Sequence, residues 1–198
     1  MSEPRKFWML WRVRVGYPVA VLYWLLAAPS GRSIAMGAIV AAFGLLVRGI
    51  SSGYLRKDRE LATSGPYAST RNPLYLGSAM LAAGFIVAGR SWWAGLLVGV
   101  YFAVFYYAVM RNEEADLLKR FGAPFEEYAA RVPLFFPRMP QGTDRASSEG
   151  KDGKAAGSAA EFSWALYSKN REYRALIGTA AGLALMALRM WLRMRLGC

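Results

Sequence analysis

Five apolar runs without a single charged residue divide this chain. They occupy residues 15–31, 33–47, 74–89, 91–110 and 175–188. Runs of this kind cross a bilayer as α-helices when they approach about 20 residues. The sequence therefore predicts an all-α polytopic membrane protein with four core transmembrane helices and a fifth, C-terminal helix. The fifth run is short, so it either crosses with its flanking arginines snorkelling or lies in the membrane interface.

Basic residues are distributed unequally between the two ends of these runs. One side carries Arg5, Lys6, Arg12, Arg14, Arg48, Arg56, Lys57, Arg59, Arg71, Arg111, Lys119, Arg120 and Arg131. The other side has only Arg32 and Arg90, in two short turns that predict helical hairpins. The excess of positive charge predicts that the N-terminus, the 48–73 loop and the segment after residue 110 are cytoplasmic. Both long polar segments would then share one face, next to the interfacial helices.

Composition excludes several classes of function. The chain has a net charge of +12 and is 55% hydrophobic, and its basic residues adjoin apolar runs. This arrangement is typical of contact with anionic lipid headgroups rather than with nucleic acid. The chain has no histidine, and its one cysteine is Cys198. A disulfide framework and a Cys-based metal site within one chain are excluded, and we expect no metal.

The sequence divides into three segments. Residues 1–138 hold the core runs and form the predicted membrane domain. Residues 139–161 are rich in Gly, Ser, Ala and charge, which predicts a flexible linker. Residues 162–198 form a helical extension, which begins as an amphipathic interfacial helix and leads into the fifth run. The role of this extension, the side that Cys198 faces and the oligomeric state stay open.

The first polar segment, residues 63–78, reads TSGPYASTRNPLYLGS and is unusually rigid for a loop between membrane helices. Pro73 biases Asn72 away from helix and suits the first turn of the third run. Arg71 and Asn72 would therefore lie at a helix N-terminus, where an arginine and free N–H groups can bind a carboxylate or phosphate. From spacing alone, a juxtamembrane turn with interfacial tyrosines explains the segment equally well.

The second polar segment, residues 111–137, begins where the fourth run reaches the cytoplasm. Glu113 and Glu114 lie there, and paired carboxylates near a bilayer are costly unless they are paired or hydrated. The Gly-Ala-Pro sequence at 122–124 breaks the helix, and a second short helix carries Tyr128. The alternative is an amphipathic helix whose acids face water.

Together the two segments resemble the isoprenylcysteine carboxyl methyltransferase family and its phospholipid methyltransferase relatives. The matching residues are L-x-T-S-G-P-Y-x-x-T-R-N-P-L-Y-L-G at 61–77 and R-N-E-E-x-x-L-x-x-x-F-G-x-x-F-x-x-Y-x-x-x-V-P at 111–133. The resemblance covers roughly residues 33–138. It implies an integral-membrane methyltransferase that uses S-adenosylmethionine (SAM) and no metal. It also implies a cytoplasmic cofactor pocket formed by both segments.

The resemblance, combined with the chemistry of SAM, indicates the site residues. The cofactor-binding candidates are Gly65, Pro66, Tyr67, Arg71, Asn72, Pro73, Tyr75, Gly77, Arg111, Glu113, Glu114 and Tyr128. The catalytic candidates among them are Arg71, Asn72, Glu113 and Glu114. Arg71 suits the SAM carboxylate, and either glutamate suits the ammonium group or the ribose hydroxyls. Tyr67, Tyr75 or Tyr128 would pack on adenine or face the sulfonium.

Asn72 departs from the family pattern, because the eukaryotic enzymes carry histidine there. Asparagine does not titrate near neutral pH. A carboxylate acceptor, with a pKa of about 4, is already ionised, whereas an amine acceptor must lose a proton. This difference favours a lipidic or prenylated carboxylate acceptor, as in isoprenylcysteine carboxyl methylation. A phospholipid amine is the alternative, and an NADPH-dependent membrane reductase or a non-catalytic scaffold is less favoured.

Overall fold

The computed structural model describes residues 3–56, 60–138 and 162–196, and within them the chain is helical without a strand. The helices are α1 (Glu3–Leu26), α2 (Gly31–Tyr54), α3 (Pro73–Gly89), α4 (Trp92–Phe121), α5 (Ala123–Arg131), α6 (Trp164–Lys169) and α7 (Tyr173–Leu196). A short 3-10 helix, Gly65–Ala68, lies between α2 and α3. The predicted all-α fold class is confirmed. The linker predicted at 139–161 lies outside the described residues, as do Lys57, Arg59 and Cys198.

Among the helices of the described residues, three (α2, α4 and α7) are long and apolar enough to cross a membrane. The fifth run was expected to be short, yet it lies within α7, which has 24 residues. α3 is apolar but has only 17 residues, and Arg12 and Arg14 lower the mean hydropathy of α1. The chain is a helical membrane protein, and most residues of its five predicted runs lie on α1, α2, α3, α4 and α7.

The fourth run does not end as a helix where its apolar stretch ends. α4 continues for 30 residues to Phe121, so Glu113 and Glu114 lie on the same helix as the apolar run. Gly122, with φ +57° and ψ −131°, ends α4, and α5 begins at the next residue. This backbone region is essentially restricted to glycine, and the predicted helix break is confirmed.

Glycines bring α2 and α3 into close antiparallel contact. A Cβ built on Gly37 would lie 2.4 Å from the carbonyl oxygen of Gly84, and one built on Gly44 would lie 2.7 Å from that of Gly77. These distances leave no room for a side chain at either contact. Small residues are the usual means by which helix backbones approach closely in a membrane. The α2–α3 pair therefore fixes the position of the α3 N-terminus.

The C-terminal extension packs along the bundle from one end to the other. At its beginning, Asn170 Nδ2 donates to the carbonyl oxygens of Ser52 and Leu55 at 2.9 and 3.1 Å, beside the end of α2. Near its other end, Arg189 Nη2 donates to the carbonyl oxygen of Leu25 at 2.7 Å, beside the end of α1. The end of α7 therefore lies at the opposite end of the bundle from the 63–72 loop.

Candidate active site

The two polar segments meet where α2 ends and α3 begins. Side-chain and backbone hydrogen bonds join the loop before α3 to the strap of residues 132–138 that follows α5. Arg71 N donates to Pro133 O at 2.9 Å, Asn72 Nδ2 donates to Leu134 O at 3.0 Å, and Thr70 Oγ1 donates to Phe135 O at 2.9 Å. Asn72 thus contributes its side-chain donor to this joint. The structure brings together the two segments that the sequence had singled out.

Two buried tyrosines form a second joint between these segments. The Tyr128 hydroxyl, on α5, donates to the carbonyl oxygen of Tyr67 at 2.7 Å. Burial raises the pKa of Tyr67 and of Tyr128 above the ordinary value of 10.0. Both hydroxyls are therefore protonated at neutral pH. They can donate hydrogen bonds there but do not supply a base.

We expect Tyr128→Phe to lower the free energy of unfolding by about 1–3 kcal/mol, because the Tyr67 carbonyl is left buried without its donor. The effect also depends on pH. An unfolded tyrosine ionises near 10.0 while the folded one, with its raised pKa, stays protonated. The stability that this group contributes is therefore present below about pH 10 and is lost as pH rises toward the folded pKa.

Thermal melting in detergent at about pH 8 and about pH 11 measures both effects. Wild type should lose more stability between these two values than Tyr128→Phe does, since the variant lacks the contribution of the Tyr128 hydroxyl. Equal losses in the two proteins would contradict the role given to this hydroxyl.

Glu114 lies between two arginines. Arg71 Nη1 contacts Glu114 Oε1, and Arg111 Nη1 contacts Glu114 Oε2 at 2.8 Å. The side chains of Arg71 and Glu114 are 17% and 11% exposed, whereas that of Arg111 is 59% exposed. Arg71 is thus the buried cation of the group, and Glu114 is a carboxylate whose charge is already balanced.

Arg71 retains an unused donor. Its Nε is buried, and it is the buried side-chain nitrogen or oxygen that has no hydrogen-bond partner among the described residues. A buried N–H on a charged group costs free energy unless a partner satisfies it. An anionic ligand oxygen in the adjoining cavity would satisfy it.

Glu113 faces a different neighbour. The Tyr75 hydroxyl, in the first turn of α3, donates to Glu113 Oε1 at 2.8 Å. The two neighbouring glutamates therefore bind different residues near the α3 N-terminus: Glu114 contacts Arg71, and Glu113 contacts Tyr75. Neither carboxylate stands as an isolated charge next to the bilayer.

A cavity of about 270 Å³ opens between these groups. Its walls come from the end of α2, the loop before α3, the last turns of α4, and α5. The lining residues that the sequence predicted are Tyr67, Arg71, Asn72, Pro73, Glu113, Glu114 and Tyr128. A second cavity, of about 460 Å³, is lined in part by Arg71, Glu114 and Phe125, which also line the first cavity. Small-ligand sites typically measure about 300–1,000 Å³, so the first cavity is close to the lower limit.

Five predicted site residues lie off the wall of the first cavity. Gly65 and Pro66 form the start of the 3-10 helix, and Arg111 lines the second cavity. Tyr75 does not line the cavity but donates a hydrogen bond to Glu113, which does. Gly77 lies in the α2–α3 contact. Their assignment to cofactor binding stays a prediction, and the structure gives Gly77 a packing role.

Sequence reasoning missed several charged residues of this wall. They are Arg56, Glu60, Asp116 and Arg120. The last two could have been found, because residues 113, 116, 117 and 120 follow the i, i+3, i+4, i+7 spacing of one helix face. Arg56 had been used only for topology, and Glu60 had been given no role. They form an exposed ion pair at 3.1 Å across the loop after α2.

Over the described ranges, no group of three or more Asp, Glu, His or Cys side chains is placed to hold a metal ion. The acids of the cavity are instead distributed among arginines and a tyrosine. This donor set suits an organic ligand that carries both charges.

Comparison with known proteins identifies a matching family for part of the chain. Residues 33–124 match the phospholipid methyltransferase family model. This range contains the whole first motif and the start of the second, including both glutamates. The resemblance inferred from the motifs is therefore confirmed over this part of the chain.

Three curated proteins are similar over 84 residues, or 42% of this chain. They are a nickel-cobalt-cadmium resistance protein, NccN, of Alcaligenes xylosoxydans xylosoxydans (39% identical), a cobalt-zinc-cadmium resistance protein, CzcN, of Cupriavidus metallidurans (39%) and a protein-S-isoprenylcysteine O-methyltransferase of Schizosaccharomyces pombe (33%). The aligned part spans only 39%, 38% and 36% of these relatives, respectively. No solved structure matches the chain significantly.

Proposed function

We propose that this membrane protein, whose residues 33–124 match the phospholipid methyltransferase family, transfers a methyl group from SAM to a lipid or lipidated acceptor. The observation that carries the proposal is the cavity itself. It joins the two family motifs and places the buried, incompletely satisfied Arg71 among Glu113, Glu114 and buried aromatic side chains. A zwitterionic ligand with an aromatic base fits such a wall.

The residues of the cavity suit each part of SAM. Arg71 would bind the carboxylate, because its free Nε is a donor for an anion. Acidic side chains of α4 would bind the ammonium group, with Glu113 nearest to the α3 N-terminus. Tyr67, Phe125 and Tyr128, all buried, would pack against the adenine. These pairings combine the expectations from sequence with the donors and aromatic rings that the cavity presents.

Bound SAM supplies an electrophilic methyl group. The contribution of the chain is then to hold donor and acceptor in line and to exclude water. Arg71 and the joint between the loop and residues 132–138 would orient the cofactor. Asn72 helps to keep that joint closed, which is a positioning role rather than proton transfer.

Among the candidate acceptors, a carboxylate fits the residues around this cavity best. An acceptor that must be deprotonated requires a base, and the glutamates and tyrosines of the two motifs offer little. Glu114 is balanced by two arginines, Glu113 accepts from Tyr75, and the buried tyrosines are protonated. A carboxylate such as that of a prenylated cysteine is already ionised and needs no base.

A phospholipid amine is the second candidate acceptor. The observation in its favour is the description of the matching family, which names phospholipids. Glu113 would then be the group closest to a proton acceptor, once its hydrogen bond with Tyr75 had been given up. Either acceptor would reach the cavity from the surrounding membrane lipid.

The cavity would face the cytoplasm. This orientation follows from charge, because the described arginines at the cavity end of the bundle outnumber those at the opposite end, which are Arg32, Arg90, Arg189, Arg193 and Arg195. In this orientation α7 begins on the cytoplasmic side and ends on the other.

Calorimetry of the detergent-purified chain with SAM and S-adenosylhomocysteine tests the proposal. Binding with a Kd on the order of micromolar would support it, and it would justify a transfer assay with labelled methyl groups on prenylcysteine and phospholipid acceptors. Methylation of one acceptor class would decide between the two. Folded protein that binds neither compound would contradict the proposal, and NADPH would then test the reductase alternative.

A further inference from the structure

We infer that Glu172, in the C-terminal extension, is a positioning residue for the cofactor cavity, acting through Arg48. The inference rests on the proposed function. It concerns a part of the chain beyond residues 33–124, so the family match assigns no role to Glu172.

Arg48 connects three elements of the fold. On α2 itself, its side chain extends toward the N-terminal turns of α3. Its Nη1 donates to the Leu74 carbonyl oxygen at 3.3 Å and to Ser78 Oγ at 2.5 Å. Its Nε and Nη2 donate to both carboxylate oxygens of Glu172, at 2.9–3.0 Å. The two-pronged contact fixes the plane of the guanidinium.

The pair is shielded from water. The side chains of Arg48 and Glu172 are 21% and 10% exposed. A buried arginine requires a partner, and Glu172 is the carboxylate that Arg48 contacts. Without Glu172 the guanidinium would turn toward water, and its contacts with Leu74 and Ser78 would be lost.

Arg48 extends this link to the cavity. Leu74 lines the cavity beside Asn72 and Pro73, and Arg71 precedes them directly. The carbonyl of Leu74 is therefore part of the turn that aims the Arg71 side chain. A Cβ added to Gly77 would lie 2.6 Å from Arg48 Cγ, so the Arg48 side chain packs closely against this turn of α3.

A plain anchor for α7 is the competing interpretation. In that case Glu172 would stabilise the extension, and the cavity would be unaffected as long as the protein stayed folded. The two interpretations predict different SAM affinities for a variant that has wild-type stability but lacks the hydrogen bonds from Arg48 to α3.

Three full-length variants separate them. Glu172→Gln removes the charge at constant size. The double variant Arg48→Met with Glu172→Met removes the buried charge pair altogether, a change that often leaves stability unharmed. Glu127→Gln, at an exposed carboxylate of α5, is the matched control.

The readouts are the SAM dissociation constant, hydrogen–deuterium exchange of the amides of residues 74–78, and the melting temperature. We expect Glu172→Gln to raise the dissociation constant about tenfold and to speed exchange in these amides. The double variant should melt near wild type and yet keep the weak binding and the fast exchange. Glu127→Gln should match wild type in all three.

Recovery of affinity and slow exchange in the double variant would overturn the inference and leave Glu172 as an anchor. Unchanged values in Glu172→Gln would do the same. If wild type itself bound no SAM, the proposed function would fail, but the exchange of residues 74–78 would still decide whether Glu172 positions this turn.

Discussion

Arg71→Ala is expected to weaken SAM binding by at least about a hundredfold, the largest effect of any single substitution in the cavity. Loss of one partner from a buried, hydrogen-bonded charge pair typically costs about 2–5 kcal/mol of binding free energy. Arg71 is such a partner, because it is mostly buried and its Nε has no acceptor among the described residues. Calorimetric titration of the variant with SAM measures the effect.

The fold should tolerate this substitution. Glu114 keeps Arg111 at 2.8 Å after Arg71 is removed, so no buried carboxylate is left alone. Glu114→Ala is less informative, since it would leave Arg71 buried without a counter-charge and would destabilise the protein as well. Arg131→Ala, at an exposed arginine of α5, is the matched control and should bind SAM as wild type does. Equal affinity in Arg71→Ala and Arg131→Ala would contradict the site assignment.

The sequence indicated residues that lie together in the structure where those residues are adjacent in the chain. Arg71, Asn72, Glu113 and Glu114 were singled out from two short motifs, and the structure brings all four to one cavity. The contacts between them were not predictable, since the partner of each glutamate depends on the rotation of α4 about its axis. In the structure, α4 is rotated so that Glu114 contacts Arg71 and Glu113 contacts Tyr75.

Long-range partners lay beyond the reach of sequence reasoning. The Arg48–Glu172 pair joins residues 124 positions apart across the segment that was expected to be a linker. No periodicity or motif connects them: Arg48 was used only for the charge bias that predicts topology, and Glu172 was given no role of its own. The end of α4, by contrast, was predictable, because the Gly-Ala-Pro sequence at 122–124 indicated a break although the apolar residues stop at 110. Hydrophobicity marks the membrane, whereas backbone geometry at Gly122 marks the helix end.

Gly37→Leu is expected to abolish the well-folded state or to lower the unfolding free energy by more than about 3 kcal/mol. An added Cβ would lie 2.4 Å from the Gly84 carbonyl oxygen and 2.9 Å from the Ala88 backbone nitrogen. Both are backbone atoms of α3, so no side-chain rotation can relieve the overlap, and the helices must separate. Van der Waals packing is a principal force between helices in a bilayer, so this separation is costly. Yield of monodisperse protein and melting temperature in detergent are the measurements.

Gly99→Leu provides the control for the same change in another helix. An added Cβ at this exposed position of α4 meets nothing within 4 Å, so the variant should stay within about 0.5 kcal/mol of wild type. Gly37 lies in the first half of α2, away from the cavity end, so loss of SAM binding in Gly37→Leu would follow from loss of the fold. If Gly37→Leu had the same melting temperature as Gly99→Leu, α2 and α3 would not be in contact at Gly37 and Gly84. The position of the α3 N-terminus, and with it the cavity, would then need another explanation.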